Sequence, residues 1–432
     1  MRATAVAATL LVLAGVTVLA QRSNMDTIAE QYVRLVLGMG VHEADYVDAY
    51  YGPSSWRTAA EEGRSSLQAI GIQADVLARQ LNAMAPSGGP ADLGRLRHQY
   101  LSGQVAALRA RVAMRTGRKM TFDEESKAFY DAVAPVHTET EFDAVRAQLE
   151  AVLPGADPLQ QRLEDFRSRF VIPRDRLEQT FAAAIAACRA RTLRHIELPK
   201  DERFTVEYVT NQSWSAYNWY QGDYRSVIHV NTDLPVRVDG AIDLACHEGY
   251  PGHHVYNVLL EKNLTRGRKW MEFSVYPLFS PQSLIAEGTA NYGIDVTFPA
   301  GERLRFEQDV IFPAAGLDPA TAPEYYRVVA LLERFSYAGN EAARRYLDGR
   351  MTAAATADWL ERYALMSRAR AEQRVRFIDQ YRSYVINYNL GKDMVGAYLT
   401  RRVGDSADAS RMWQEFERLL SSPRLPSGLG AP

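Results

Sequence analysis

The chain has 432 residues, 47% hydrophobic and 24% charged, a composition that excludes disordered and fibrous architectures and supports a sizeable core. Lys plus Arg number 50 against 52 Asp plus Glu, so the formal charge of −2 leaves no global field to draw the protein to nucleic acid or an anionic membrane. A peptide or small-amide partner is the expectation that remains, and nothing in the sequence sets an oligomeric state.

Met1 and Arg2 precede an uncharged run over residues 3–20, dense in Val, Leu and Ala and ending Val18-Leu19-Ala20. This pattern predicts a secretory signal over residues 1–20, cleaved after Ala20, and hence a periplasmic or secreted protein. The alternative is an uncleaved anchor, since a helix of that length just crosses the hydrocarbon core. No other segment is apolar enough to span, so the mature chain is expected to have no membrane span.

Residues 25–200 read as a helical region, with Ala, Arg, Leu and Glu stretches punctuated by Pro and Gly. Thr138-Glu-Thr-Glu141 forms a capping box, Phe142, Val145 and Leu149 follow at helical spacing, and Leu153-Pro154-Gly155 stops the helix. A second helix opens at Pro173 and carries Leu177, Phe181, Ile185 and Cys188 on one face. Cys188 and Cys246 sit among apolar neighbours, and a chain of this size does not need a disulfide, so two buried thiols are expected. There is no CxxC pair, and any metal must be held by His and carboxylate.

At residue 201 the pattern changes. Residues 204–209 and 226–231 read as short strands separated by an aromatic turn region, 214–224, whose Trp214, Tyr217, Trp219, Tyr220 and Tyr224 could line a substrate cleft. The 226–231 strand, if at an edge, could pair with an extended peptide. Helix returns after Pro235 and continues, with interruptions, to about residue 420; the Pro-, Gly- and Ser-rich tail, 421–432, is expected to be disordered. The fold class is therefore mainly α with a small β-sheet, with a soft division near residue 200.

Three of the eight histidines fall within eight residues, His247-Glu248-Gly249-Tyr250-Pro251-Gly252-His253-His254. In the common zinc-peptidase arrangement two His four residues apart share one helix face, about 5 to 6 Å apart, with a Glu free to act as base. Here a regular helix would put His253 and His254 about 9 and 10.5 Å along the axis from His247, too far to share an ion. Pro251 offers no N–H to the carbonyl of His247 and Gly252 permits unusual backbone, so the helix must bulge or break. Two looped-out residues make His253 the second ligand; three make it His254. The remaining His is left for substrate or for a supporting hydrogen bond. Glu287, in Ala286-Glu287-Gly288-Thr289-Ala290-Asn291-Tyr292, is the best third ligand, because small neighbours allow close helix approach and His2Glu sets suit catalytic zinc. Glu248 is then the general base. The other five histidines are expected to be structural.

HEGYPGHH followed by AEGTANY resembles the domain-of-unknown-function 885 family of bacterial proteins. The early segment from His42 to Pro53, with Asp48, Tyr50 and Tyr51, is also similar to that family, so the resemblance spans nearly the whole mature chain. Members often have Trp where this chain has Thr289. The resemblance implies a zincin-like, gluzincin-type helical fold over residues 201–420 and metal-dependent hydrolysis with Zn2+. It also implies that the stretch before Gly391 closes the site, with Tyr388 first and Arg382 second as oxyanion donors. Arg225, Arg382 and Lys392 are available to recognise a free peptide terminus. No phosphate loop or GxSxG elbow is present. Alternatives to a zinc metallopeptidase are a non-peptide amide or ester hydrolase on the same site and a non-catalytic exported metal-binding protein.

Overall fold

A computed structural model of the chain describes residues 24–85, 88–89, 91–299, 301–404 and 408–430; the signal segment expected at 1–20 lies outside them. The protein is mainly α with a small β-sheet. Among the described residues no helix is long and apolar enough to cross a membrane. The first helix, residues 24–42, buries Ile28, Tyr32, Val36 and Met39 on one stripe. It delivers the chain to β1, Val47–Tyr50, which pairs antiparallel with β5, Val275–Pro277, more than two hundred residues later. The early segment is thus built into the C-terminal half, and it carries Asp48 there.

The capping box at Thr138 forms, and the Glu139–Val152 helix buries Phe142, Val145 and Leu149 before ending at Leu153. The Leu177–Thr192 helix buries Leu177, Phe181 and Cys188. Cys188 does not stay a thiol. It is bonded to Cys246, with the two Cα atoms 5.6 Å apart, because this helix packs directly beneath the segment carrying the His cluster.

Three strands form the main sheet: β2, Arg203–Val209, β3, Ala216–Gly222, and β4, Arg225–Asn231. The order is β2-β4-β3, β2 parallel and β3 antiparallel to β4. Two expectations change. The aromatic stretch is mostly strand, its turn confined to Gly222, Asp223 and Tyr224, all at positive φ. The 226–231 segment is central and β3 is one of the two edges, since the short turn folds the aromatic stretch back onto β4.

The Pro281–Thr297 and Ile386–Val403 helices cross at Gly288 and Gly391. A Cβ on Gly288 would lie 2.5 Å from the carbonyl of Gly391, so backbone touches backbone there. One hydrophobic cluster runs from Met25 to Leu429 through both regions. Residue 200 therefore marks a change in element type, not in packing. The tail differs from expectation as well: Pro426–Leu429 forms a 3-10 turn, Leu429 is buried, and the Ser427 N–H donates to Asp131 Oδ2 at 3.0 Å. Apolar contact outweighs the local Pro and Gly content.

Candidate metal centre and cleft

The Val238–Leu244 helix widens at residues 245–249 into a π-type turn, which carries His247 and Glu248, and the chain re-enters helix at His253–Leu260. Pro251 and Gly252 form the break. A Cβ on Gly252 would lie 1.8 Å from the carbonyl oxygen of His247, so only glycine permits this re-entry. The six-residue spacing is thereby compressed: His247 Nε2 and His253 Nε2 stand 3.1 Å apart. Glu287 Oε2 is 3.2 Å from His247 Nε2 and 3.6 Å from His253 Nε2. The donor atoms of His247, His253 and Glu287 all lie within 4.8 Å of one another.

His254 points the other way. It is fully buried, its Nε2 2.9 Å from Glu202 Oε2 and its Nδ1 2.8 Å from Ser226 Oγ. Glu202 also accepts from Tyr250 Oη at 2.6 Å and Arg189 at 2.7 Å, and so fastens the break to the helix and sheet behind it. Burial drives the Glu202 pKa upward, but the hydrogen bonds from His254, Tyr250 and Arg189 hold it below the ordinary carboxylate value. His254 is thus a scaffold residue and not a member of the metal set.

Around the trio, Asn291 Oδ1 lies 3.1 Å from His247 Nδ1 and orients the ring; the AEGTANY string thus supplies both a carboxylate and the residue that supports a histidine. Tyr384 Oη donates to Glu287 Oε1 at 2.7 Å. Burial lowers the His247 pKa, but the hydrogen bond to Glu287 and the charges of Glu248 and Glu287 outweigh it and push it up to about 9. For Glu287, burial is outweighed by His253 and His247, and the carboxyl stays well below the usual range. Glu248 is buried and pushed up by desolvation, partly offset by His247 and His253. Its Oε2 is buried with no hydrogen-bond partner among the described residues, and Glu287 Oε2 is buried with only the two imidazoles beside it. Two imidazole nitrogens and a carboxylate aimed at one point, with an orphaned oxygen in the set, fit a divalent cation better than they fit each other.

The trio opens into a cavity of about 620 Å³, lined on one side by residues 213–218 at the β3 edge and on the other by Tyr381, Tyr384 and Tyr388. Asn218 Nδ2 donates to the backbone carbonyl of Glu248 at 2.7 Å, tying β3 to the turn that carries His247 and Glu248. Tyr388 lies half-buried against Phe377 and Tyr384, with ring centroids 6.2 and 5.8 Å away. Arg382 does not reach the cavity. It donates to the buried Glu125 at 2.8 Å, which also accepts from the Ser383 N–H and hydroxyl, so Arg382 anchors a turn.

Asp48 is the site residue that the sequence did not single out. It lines the cavity and accepts from Tyr217; burial first, then Glu287 and Glu248, push its carboxyl well above the ordinary value. Its only signal was membership of the early segment. Of the other histidines, His42 bonds Ser65 O at 2.7 Å, His98 bonds Leu81 O at 2.8 Å, and His195 stacks on Trp413.

No family model and no curated protein matches the sequence. Solved structures do match. A protein from Colwellia psychrerythraea, provisionally described as a lipoprotein, is 13% identical with a TM-score of 0.51 over 87% of this chain and 72% of that one. Pyrococcus furiosus carboxypeptidase (Apo-Mg) is 12% identical with a TM-score of 0.47 over 94% of this chain and 89% of that one. At 13% identity the first likeness is one of fold alone.

Proposed function

We propose that this chain is an exported zinc-dependent hydrolase, a metallopeptidase. The observation that carries the reading is the convergence of His247 Nε2, His253 Nε2 and Glu287 Oε2 within 4.8 Å beside the unpartnered carboxylate of Glu248. A two-nitrogen, one-carboxylate set suits zinc in a catalytic role. When bound, zinc supplies Lewis acidity, which acidifies water and polarises a carbonyl. Glu248 takes a proton from the attacking water and hands it to the leaving amine. Tyr388, which lines the cavity, is the candidate donor to the oxyanion. Asn291 and Tyr384 keep His247 and Glu287 oriented. Asn218 holds Glu248 against β3, whose edge can take an extended peptide backbone as a further strand, which favours a peptide over a compact amide or ester. The pattern of residues 1–20 supports export, and the HEGYPGHH and AEGTANY strings support metal-dependent hydrolysis.

The test is a mixed peptide library read by mass spectrometry, with wild type beside Glu248→Gln, both purified without chelators and assayed for metal. Both proteins are expected to hold one zinc, and the variant to lose about 100- to 10,000-fold in rate. Equal product profiles from the two would refute the reading. Loss of zinc from Glu248→Gln would exchange the roles of the two carboxylates.

A further inference from the structure

Five cationic side chains line the cavity: Arg167, Arg303, Arg370, Arg374 and Lys392. Two are paired, Arg303 with Asp243 at 2.7 Å and Lys392 with Asp295 at 3.1 Å. Arg167, Arg370 and Arg374 have no carboxylate within ion-pair distance among the described residues; Arg370 donates only to the carbonyl of Pro235, at 3.2 Å. Arg374 is the one that packs on the cavity's tyrosine wall. Its guanidinium lies over the rings of Phe377 and Tyr388, 4.8 and 5.8 Å from their centroids, and its buried Nε has no acceptor. Tyr388 in turn packs on Tyr384, which donates to Glu287. Aromatic faces hold a guanidinium without using its N–H donors, so the fork stays available. All three arginines are pulled below the ordinary value, by burial first; Arg370 falls to about 10, with Arg237 and Arg167 adding to the effect. Concentrating uncompensated cations in a cavity wall is unfavourable unless an anion arrives from outside.

We infer that Arg374, supported by Arg370 and Arg167, receives a substrate carboxylate, and that this carboxylate is the free C-terminus of a peptide. The inference rests on the hydrolase reading above. The reaction is then removal of residues from the C-terminal end: water adds across the C–N bond, the acyl carbon keeps the hydroxyl, and the leaving amine takes the proton. The cations suggested by sequence do not serve. Arg225 is exposed and bonded to Asp223, Arg382 is bonded to Glu125, and Lys392 to Asp295.

The test compares three peptides of one core sequence: a free C-terminal acid, the same peptide amidated, and an amidated peptide ending in Glu. Zinc-loaded wild type, Arg374→Ala, Arg374→Lys and Arg225→Ala are assayed for kcat/KM. Wild type and Arg225→Ala are expected to prefer the free acid by at least about 100-fold. Arg374→Ala should remove that preference by lowering the rate on the free acid far more than the rate on the amide, and Arg374→Lys should restore part of it. Equal rates on acid and amide would overturn the inference. Efficient cleavage of the amide ending in Glu would overturn the assignment to a terminus and transfer the site to an acidic side chain. Binding of the acid and amide peptides to zinc-loaded Glu248→Gln, with and without Arg374→Ala, separates the two readings. If wild type cuts nothing, the hydrolase reading fails; an acid-over-amide preference in binding that vanishes with Arg374 still supports the carboxylate site, and equal binding overturns it.

Discussion

Replacing Gly252 by Ala should damage the metal centre without touching a ligand. The new Cβ would lie 1.8 Å from the carbonyl oxygen of His247 and 2.5 Å from that of Cys246, both backbone atoms that cannot rotate away. Reaching even 3.0 Å, the shortest separation ordinary Cβ atoms show, requires the two segments to part by about 1.2 Å. His247 lies on one side of that opening and His253 on the other, with their Nε2 atoms only 3.1 Å apart. A displacement of this size should weaken zinc by at least about 100-fold, comparable to losing a supporting residue entirely. It should also reduce stability in chelator by about 1 to 3 kcal/mol through overpacking. Zinc affinity is read by competition with a chromogenic chelator, and stability by denaturant unfolding. Gly339→Ala is the control, because nothing lies within 4 Å of the added methyl in the Ala338–Leu347 helix, and it should gain about 0.5 to 1 kcal/mol. Wild-type zinc affinity in Gly252→Ala would refute the account of how the two histidines are brought together.

His253→Ala should lose stoichiometric zinc, whereas His254→Ala should retain it and lose about 2 to 3 kcal/mol of stability, since Glu202 and Ser226 lose a buried partner; metal analysis and unfolding distinguish the two, and the reverse pattern would exchange their roles. Separately, Cys188→Ser with Cys246→Ser opens a link of sequence separation 58, for which loop entropy gives about 4 kcal/mol, measurable against the oxidised protein. Glu307, buried between Arg303 and Tyr326, has a pKa pushed up to about 8, mainly by desolvation, from an ordinary value of 4.5. Its folded state holds the proton more tightly than the unfolded one, so its contribution is fully present below about 4.5 and lost as pH rises through about 8. Glu307→Gln should therefore flatten that part of the pH-stability curve, and a difference between variant and wild type that does not change with pH would contradict the assignment.

Much of the fold was legible because its signals are local. Helical spacing over Phe142, Val145 and Leu149, the capping box at Thr138 and the alternating strands at 204–209 and 226–231 depend on residues a turn or two apart. The metal candidates were legible for the same reason: three histidines beside a Pro-Gly pair force a break, and Glu287 stands among residues small enough for helices to touch. Local sequence could narrow the second histidine to His253 or His254 and no further.

The choice between them was made by distant contacts. Glu202 and Ser226, 52 and 28 residues before His254, capture it and thereby leave His253 to turn inward. Asp48 comes to the cavity through the pairing of β1 with β5, and Cys188 meets Cys246 because two helices stack. Arg374 is set apart by its place over Phe377 and Tyr388 with an unpartnered Nε and, like Arg167 and Arg370, by having no carboxylate beside it in space. Periodicity and motif spacing are properties of neighbouring residues and are written along the chain. Which buried donor finds which acceptor, and which cation is left without one, depends on packing between segments far apart in sequence, and only the tertiary structure decides it.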